Sequence, residues 1–126
     1  MHIFDLVCRI GSQHNFWVDL SKDFHTRYII FEFKNYTNNI KQGQIYTTEK
    51  YLFTTALRSV GFIISRIGPD RNAQVAAKGA LRESGKLIVN LTDSDLCEML
   101  TLKDRSKEHT DVLIGKIDDI LTKIIR

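Results

Sequence analysis

The stretch Arg27-Tyr-Ile-Ile-Phe-Glu-Phe-Lys-Asn-Tyr36 constrains this chain more than any other. From Tyr28 to Lys34, five of seven residues are aliphatic or aromatic, the pattern of a strand entering a buried sheet. Side chains alternate across a strand, so Tyr28, Ile30, Glu32 and Lys34 share one face while Ile29, Phe31 and Phe33 take the other. Residues two apart on a strand lie about 6.5–7 Å apart, close enough for a carboxylate and an ammonium to reach one common ligand. Charges on a buried strand cost free energy unless they are paired or bound to a metal. Glu32 and Lys34 therefore ask for a reason.

The remaining apolar runs arrange themselves around this strand. Ile3–Cys8 reads as a short strand with Asp5 at its centre, a second anomaly because Asp is depleted in strands. From Asn15, the residues Phe16, Trp17, Leu20 and Phe24 recur at helical spacing, with Asp19 and Asp23 solvated on the opposite face. A polar turn at 37–43 leads into a helix expected over Gln44–Leu57, carrying a polar stripe of Gln44, Thr48, Tyr51 and Thr55. Val60–Arg66 is a further buried strand. Pro69 and Asp70 open a helix that runs to about Ser84 and stops at Gly85. Lys86–Leu91 is a strand, Thr92-Asp-Ser-Asp an N-cap cluster for a helix over 94–102, and Asp111–Ile125 a closing amphipathic helix. Strand and helix alternate through four strands, which predicts an α/β layer fold with a largely parallel second half.

At 126 residues, 43% hydrophobic and 26% charged, the chain has the size and composition of one soluble globular domain. Its net charge of +3 suits an anionic partner. Two cysteines, Cys8 and Cys97, make neither a disulfide framework nor a zinc site, so they are expected as small buried hydrophobes in a reducing cytoplasm. No apolar run approaches membrane-spanning length, and the N-terminus lacks a signal-peptide pattern. The four histidines lack metal-ligand spacing and are expected at the surface.

An Asp on one strand and Glu-x-Lys on the next would make a compact acidic pocket with one cation. Two carboxylates suit a hard divalent ion such as Mg²⁺, which keeps several waters and takes substrate phosphate in its remaining positions. Asp5, a spacer with its helix, and then Ile30-Phe-Glu-Phe-Lys-Asn-Tyr36 resemble the Asp…Glu-x-Lys signature of the PD-(D/E)xK nuclease superfamily, in its restriction-endonuclease-like, Mrr-related branch. Gln44–Tyr51 on the following helix and Phe62–Arg66 on the following strand extend the likeness, which runs from about Asp5 to Leu100.

The resemblance implies a restriction-endonuclease-like mixed sheet flanked by helices and Mg²⁺- or Mn²⁺-dependent hydrolysis of DNA phosphodiesters. It makes Asp5 and Glu32 metal ligands, the Phe33 carbonyl a third, Lys34 the catalytic lysine, and Gln44 a residue that orients the site. Tyr51, Ser65 and Arg66 become contacts to nucleic acid. The sequence departs from the family in two ways. Phe4 stands where a proline is usual, and Met1 lies four positions before Asp5, so a preceding helix and strand are lacking. An N-terminally truncated domain of this kind predicts an open sheet edge and a homo-oligomer or completing partner chain.

Each residue also has a plainer reading. Asp5 suits a strand-end residue held by backbone donors, and Glu32 and Lys34 suit a same-face ion pair. Gln44, Thr48 and Tyr51 suit a partly exposed helix face, and Arg71, Lys78 and Arg82 a solvated one. The alternative to a nuclease is thus a catalytically inactive module of the same fold that binds DNA or assembles with protein.

Overall fold

The computed structural model describes residues 5–124. In chain order the elements are β1 (Leu6–Arg9), α1 (Asn15–Asp23), β2 (Tyr28–Lys34), α2 (Gln42–Glu49), β3 (Val60–Ser65), α3 (Arg71–Ser84), β4 (Leu87–Thr92), α4 (Asp93–Asp104) and α5 (Asp111–Thr122), with a short 3₁₀ turn at Thr54–Ala56. The predicted alternation of strands and helices is borne out. Of the strand expected at Ile3–Cys8, residues 3 and 4 lie outside the described part, as do His2 and Ile125. Asp5 precedes β1 rather than sitting at its centre.

The four strands form one mixed sheet in the order β1-β2-β3-β4. β1 runs antiparallel to β2, and β2, β3 and β4 are mutually parallel. Two successive crossovers of the same hand step in one direction across the sheet, so α2 and α3 fall on the same face. There Ile30, Ile63 and Ile88 pack against Ile40, Ile45, Leu52 and the alanines Ala73, Ala76, Ala77 and Ala80. The opposite face carries Ile29, Phe62, Val89 and Leu91 under Leu20 of α1 and Leu113 and Ile117 of α5. The result is an α/β fold with helices on both sides of the sheet. No helix among the described residues is long and apolar enough to cross a membrane.

Local chemistry sets the ends of the helices. Asp70 Oδ1 accepts from Ala73 N–H at 2.8 Å, capping α3, and Gly85 ends it with φ +67°. Thr92 and Asp95 form a reciprocal capping box at the start of α4. Asp95 also meets Lys116 at 3.2 Å, tying α4 to α5.

The single helix expected over Gln44–Leu57 is shorter than predicted. α2 ends at Glu49, and the chain turns back so that Phe53 N–H bonds Arg58 O at 2.8 Å. Leu57 adopts φ +57°, and its carbonyl accepts from the N–H groups of both Arg27 and Tyr28, pinning the start of β2. The polar stripe is corrected as well. Thr48 is buried, and a Cβ on Gly61 would lie 3.4 Å from its Cγ2, so α2 rests on β3 where glycine leaves room. Cys8 and Cys97 are exposed rather than buried, because β1 is an edge strand and α4 presents position 97 outward.

Candidate functional site

The hydrogen bond that defines the candidate site runs from Phe33 N–H to Asp5 Oδ2, at 2.6 Å. The antiparallel register pairs Leu6 with Phe31, which places Asp5 across from Glu32 one step further along. β1 stops at Leu6, so β2 continues past it with a backbone donor that the Asp5 carboxylate satisfies. N–H and C=O of one strand residue point to the same edge, so the Phe33 carbonyl faces the Asp5 side too. Glu32 and Lys34 project from the sheet face that carries α2 and α3. Lys34 Nζ lies 3.3 Å from Glu32 Oε2. Glu32 is only 3% exposed, whereas the Lys34 side chain keeps 22%.

The structure therefore brings Asp5, just ahead of β1, beside Glu32, Phe33 and Lys34 of the adjacent β2. It puts the other sequence candidates to different uses. Gln44 Oε1 accepts from Lys41 N–H at 2.8 Å and closes the N-terminus of α2. Tyr51 packs half-buried against the core beneath α2 and α3. Ser65 is buried, and its Oγ accepts from Gly68 N–H at 3.1 Å, shaping the turn before α3. Arg66 is exposed at the carboxyl end of β3. The Glu49 carbonyl oxygen at the end of α2 accepts from Lys86 Nζ at 3.4 Å.

Beyond Lys34, residues 35–39 with Lys41 and Gln44 line an open polar recess of about 360 Å³ that contains no carboxylate. It lies at the carboxyl end of the parallel strands, where open α/β sheets place their ligands. Among the described residues, no group of three or more His, Cys, Asp or Glu side chains forms a metal cage.

A second polar cluster escaped sequence reasoning. His14 Nδ1 accepts from Phe16 N–H as the N-cap of α1, while its Nε2–H donates to Glu108 Oε1 at 3.1 Å. Thr110, fully buried, donates its hydroxyl to the same Glu108 oxygen at 2.8 Å. His14 and Glu108 stand 94 positions apart, so no local pattern signals this pairing. Hydrogen bonds from the Thr110 side chain, then its backbone, then His14 hold the Glu108 carboxyl below its ordinary pKa. A depressed carboxylate pKa supports folding above the unfolded-state value, and that support fades as pH falls through the folded-state value. Thr110→Val is expected to move the Glu108 titration upward, read by NMR of the side-chain carboxyl. An unmoved titration would assign the effect elsewhere.

The fold and site together define an α/β protein with an acidic pair and a lysine at the junction of an antiparallel and a parallel strand pair. Comparison with family models, characterised proteins and solved structures finds no match to this chain.

Proposed function

We propose that this chain is a nuclease-type domain of the restriction-endonuclease-like fold, hydrolysing DNA phosphodiesters through Asp5, Glu32 and Lys34. The observation that carries this reading is the Asp5–Phe33 hydrogen bond, which sets one carboxylate against the backbone between Glu32 and Lys34. Asp5, Glu32 and the Phe33 carbonyl supply the hard oxygen donors that Mg²⁺ or Mn²⁺ takes, and such an ion needs only one or two carboxylates when substrate phosphate completes its shell. Bound there, the ion would polarise a phosphoryl oxygen and lower the pKa of a coordinated water.

The chain's own groups do the rest. The Lys34 ammonium, held beside Glu32, is placed to offset charge that builds on the phosphoryl oxygens. Lys41 and the amides of the 35–39 recess give the DNA backbone a polar seat free of carboxylates. Arg66 adds an exposed cation at the carboxyl end of β3.

One observation favours the second reading, an inactive module of the same fold. Asp5 is engaged by Phe33 N–H and Glu32 by Lys34, so both carboxylates already serve the fold. Plasmid cleavage with Mg²⁺ or Mn²⁺ separates the two. Wild-type protein is expected to cut, and Asp5→Asn, Glu32→Gln and Lys34→Ala to lose at least about 100-fold in rate while remaining folded by circular dichroism. Equal cleavage by all four proteins would sink the assignment. DNA binding that weakens steeply with salt, without cleavage by any of them, selects the binding module.

A further inference from the structure

We propose that β1 is a dimerisation edge at which a second copy of this chain adds its own β1 antiparallel, with Cys8 opposite the partner's Cys8. This inference is independent of the nuclease reading. β1 ends the sheet, and all four of its residues are exposed. Leu6 and Val7 are each 45% exposed, and the neighbouring Phe33 is 51% exposed. The opposite edge differs, since Leu87, Ile88, Val89 and Leu91 of β4 are all buried.

The direction of the free backbone groups follows from the ladder. Ile10 N–H bonds Arg27 O at 2.9 Å, so the alternation turns Leu6, Cys8 and Ile10 toward β2 and turns Val7 and Arg9 outward. Among the described residues, the outward N–H and C=O groups of Val7 and Arg9 meet no partner. Native proteins blunt such edges with short strands, charged side chains, proline, a bulge or a covering element. β1 is four residues long and carries one charge, Arg9, but it has no proline, and its register with β2 runs without a bulge.

A second copy is the occupant because the edge is complementary to itself. Val7 and Arg9 flank Cys8 symmetrically, so a two-fold antiparallel match pairs Val7 with the partner's Arg9, and Arg9 with the partner's Val7. Each pair exchanges two hydrogen bonds. The same register sets Arg9 diagonal to the partner's Asp5, opposite charges at a spacing that long side chains bridge. The interface is isologous, so it closes as a dimer instead of growing into a fibre.

Cys8 makes the register measurable. It occupies a non-hydrogen-bonded position, where facing Cα atoms stand about 4.5 Å apart, within disulfide reach. Cys97→Ser protein treated with oxidised glutathione, which takes up the two electrons and two protons, is expected to give a covalent dimer lost in Cys8→Ser/Cys97→Ser. Light scattering of untreated protein at submillimolar concentration should give twice the 14.6 kDa chain mass. Val7→Pro removes an outward donor that an edge strand can spare, and it should weaken dimerisation at least about tenfold. Hydrogen exchange at the Val7 and Arg9 amides should slow as concentration rises, a readout that needs no variant. A monomer mass throughout, no crosslink through Cys8, or a dimer whose Val7 and Arg9 amides exchange freely would each overturn the proposal.

Discussion

Lys34→Met is expected to destabilise the protein by about 3 kcal/mol, whereas Glu32→Met/Lys34→Met should cost much less than that single change. Glu32 lies 3% exposed on the core-facing side of β2, with the Lys34 ammonium 3.3 Å away. Removing the ammonium takes away a cation that stands 3.3 Å from a desolvated carboxylate. Removing both charges replaces the pair with apolar volume that Ile30, Ile63 and α2 can pack around. Lys34 keeps 22% of its side chain in solvent, so screening places the cost at the low end of the buried-pair range. Urea unfolding of the wild type, both single variants and the double variant closes the cycle. Equal losses in Lys34→Met and the double variant would show that the Glu32 carboxylate carries no penalty once Lys34 is gone, and would overturn the argument.

This pair is where the sequence was most readable, and the reason is physical. An acidic residue inside an apolar run of alternating faces has few ways to be accommodated, so Glu32 announced a partner two residues on. The order of elements was readable for a similar reason. Gly85, Pro69, Asp70 and the Thr92–Asp95 cluster punctuate the chain where backbone groups need caps, and those caps form. The α2 region was not readable. Ile45, Leu52, Phe53 and Ala56 fall at helical spacing, but Leu52 reaches the core from a turn, closed by the Phe53–Arg58 bridge and the left-handed Leu57. Of that set only Ile45 and Leu52 are buried, while Phe53 and Ala56 are exposed, because the chain reverses after Leu52 instead of carrying the apolar stripe on along a helix.

The candidate site divides along the same line. Asp5, Glu32 and Lys34 could be placed because strand register brings neighbours together predictably. Gln44, Tyr51 and Ser65 could not, since each answers a local demand: a helix end, a core contact and a turn donor. Asp5 remains the pivot between the two functional readings. Its bond to Phe33 N–H is both a strand-end device and the contact that sets a carboxylate beside Glu-x-Lys.

Phe62→Ala is expected to cost about 4 kcal/mol, with the loss spreading to elements on both sides of β3. Phe62 is 1% exposed on a central strand, stacked on Phe31 with ring centroids 5.4 Å apart and planes 14° apart. Trp17 of α1 meets its ring at 6.2 Å, nearly edge-on. The side chain thus links β2, β3 and α1, and truncation removes its transfer free energy and leaves a cavity between layers that cannot close independently. Phe62→Leu retains most of the volume and should cost less than about half as much. Thermal and urea unfolding of the two variants tests the argument, with Trp17 fluorescence reporting the α1 side of the cavity. A loss under about 1 kcal/mol for Phe62→Ala would mean that α1 settles into the vacated space, and that this helix is held to the sheet more loosely than its contacts indicate.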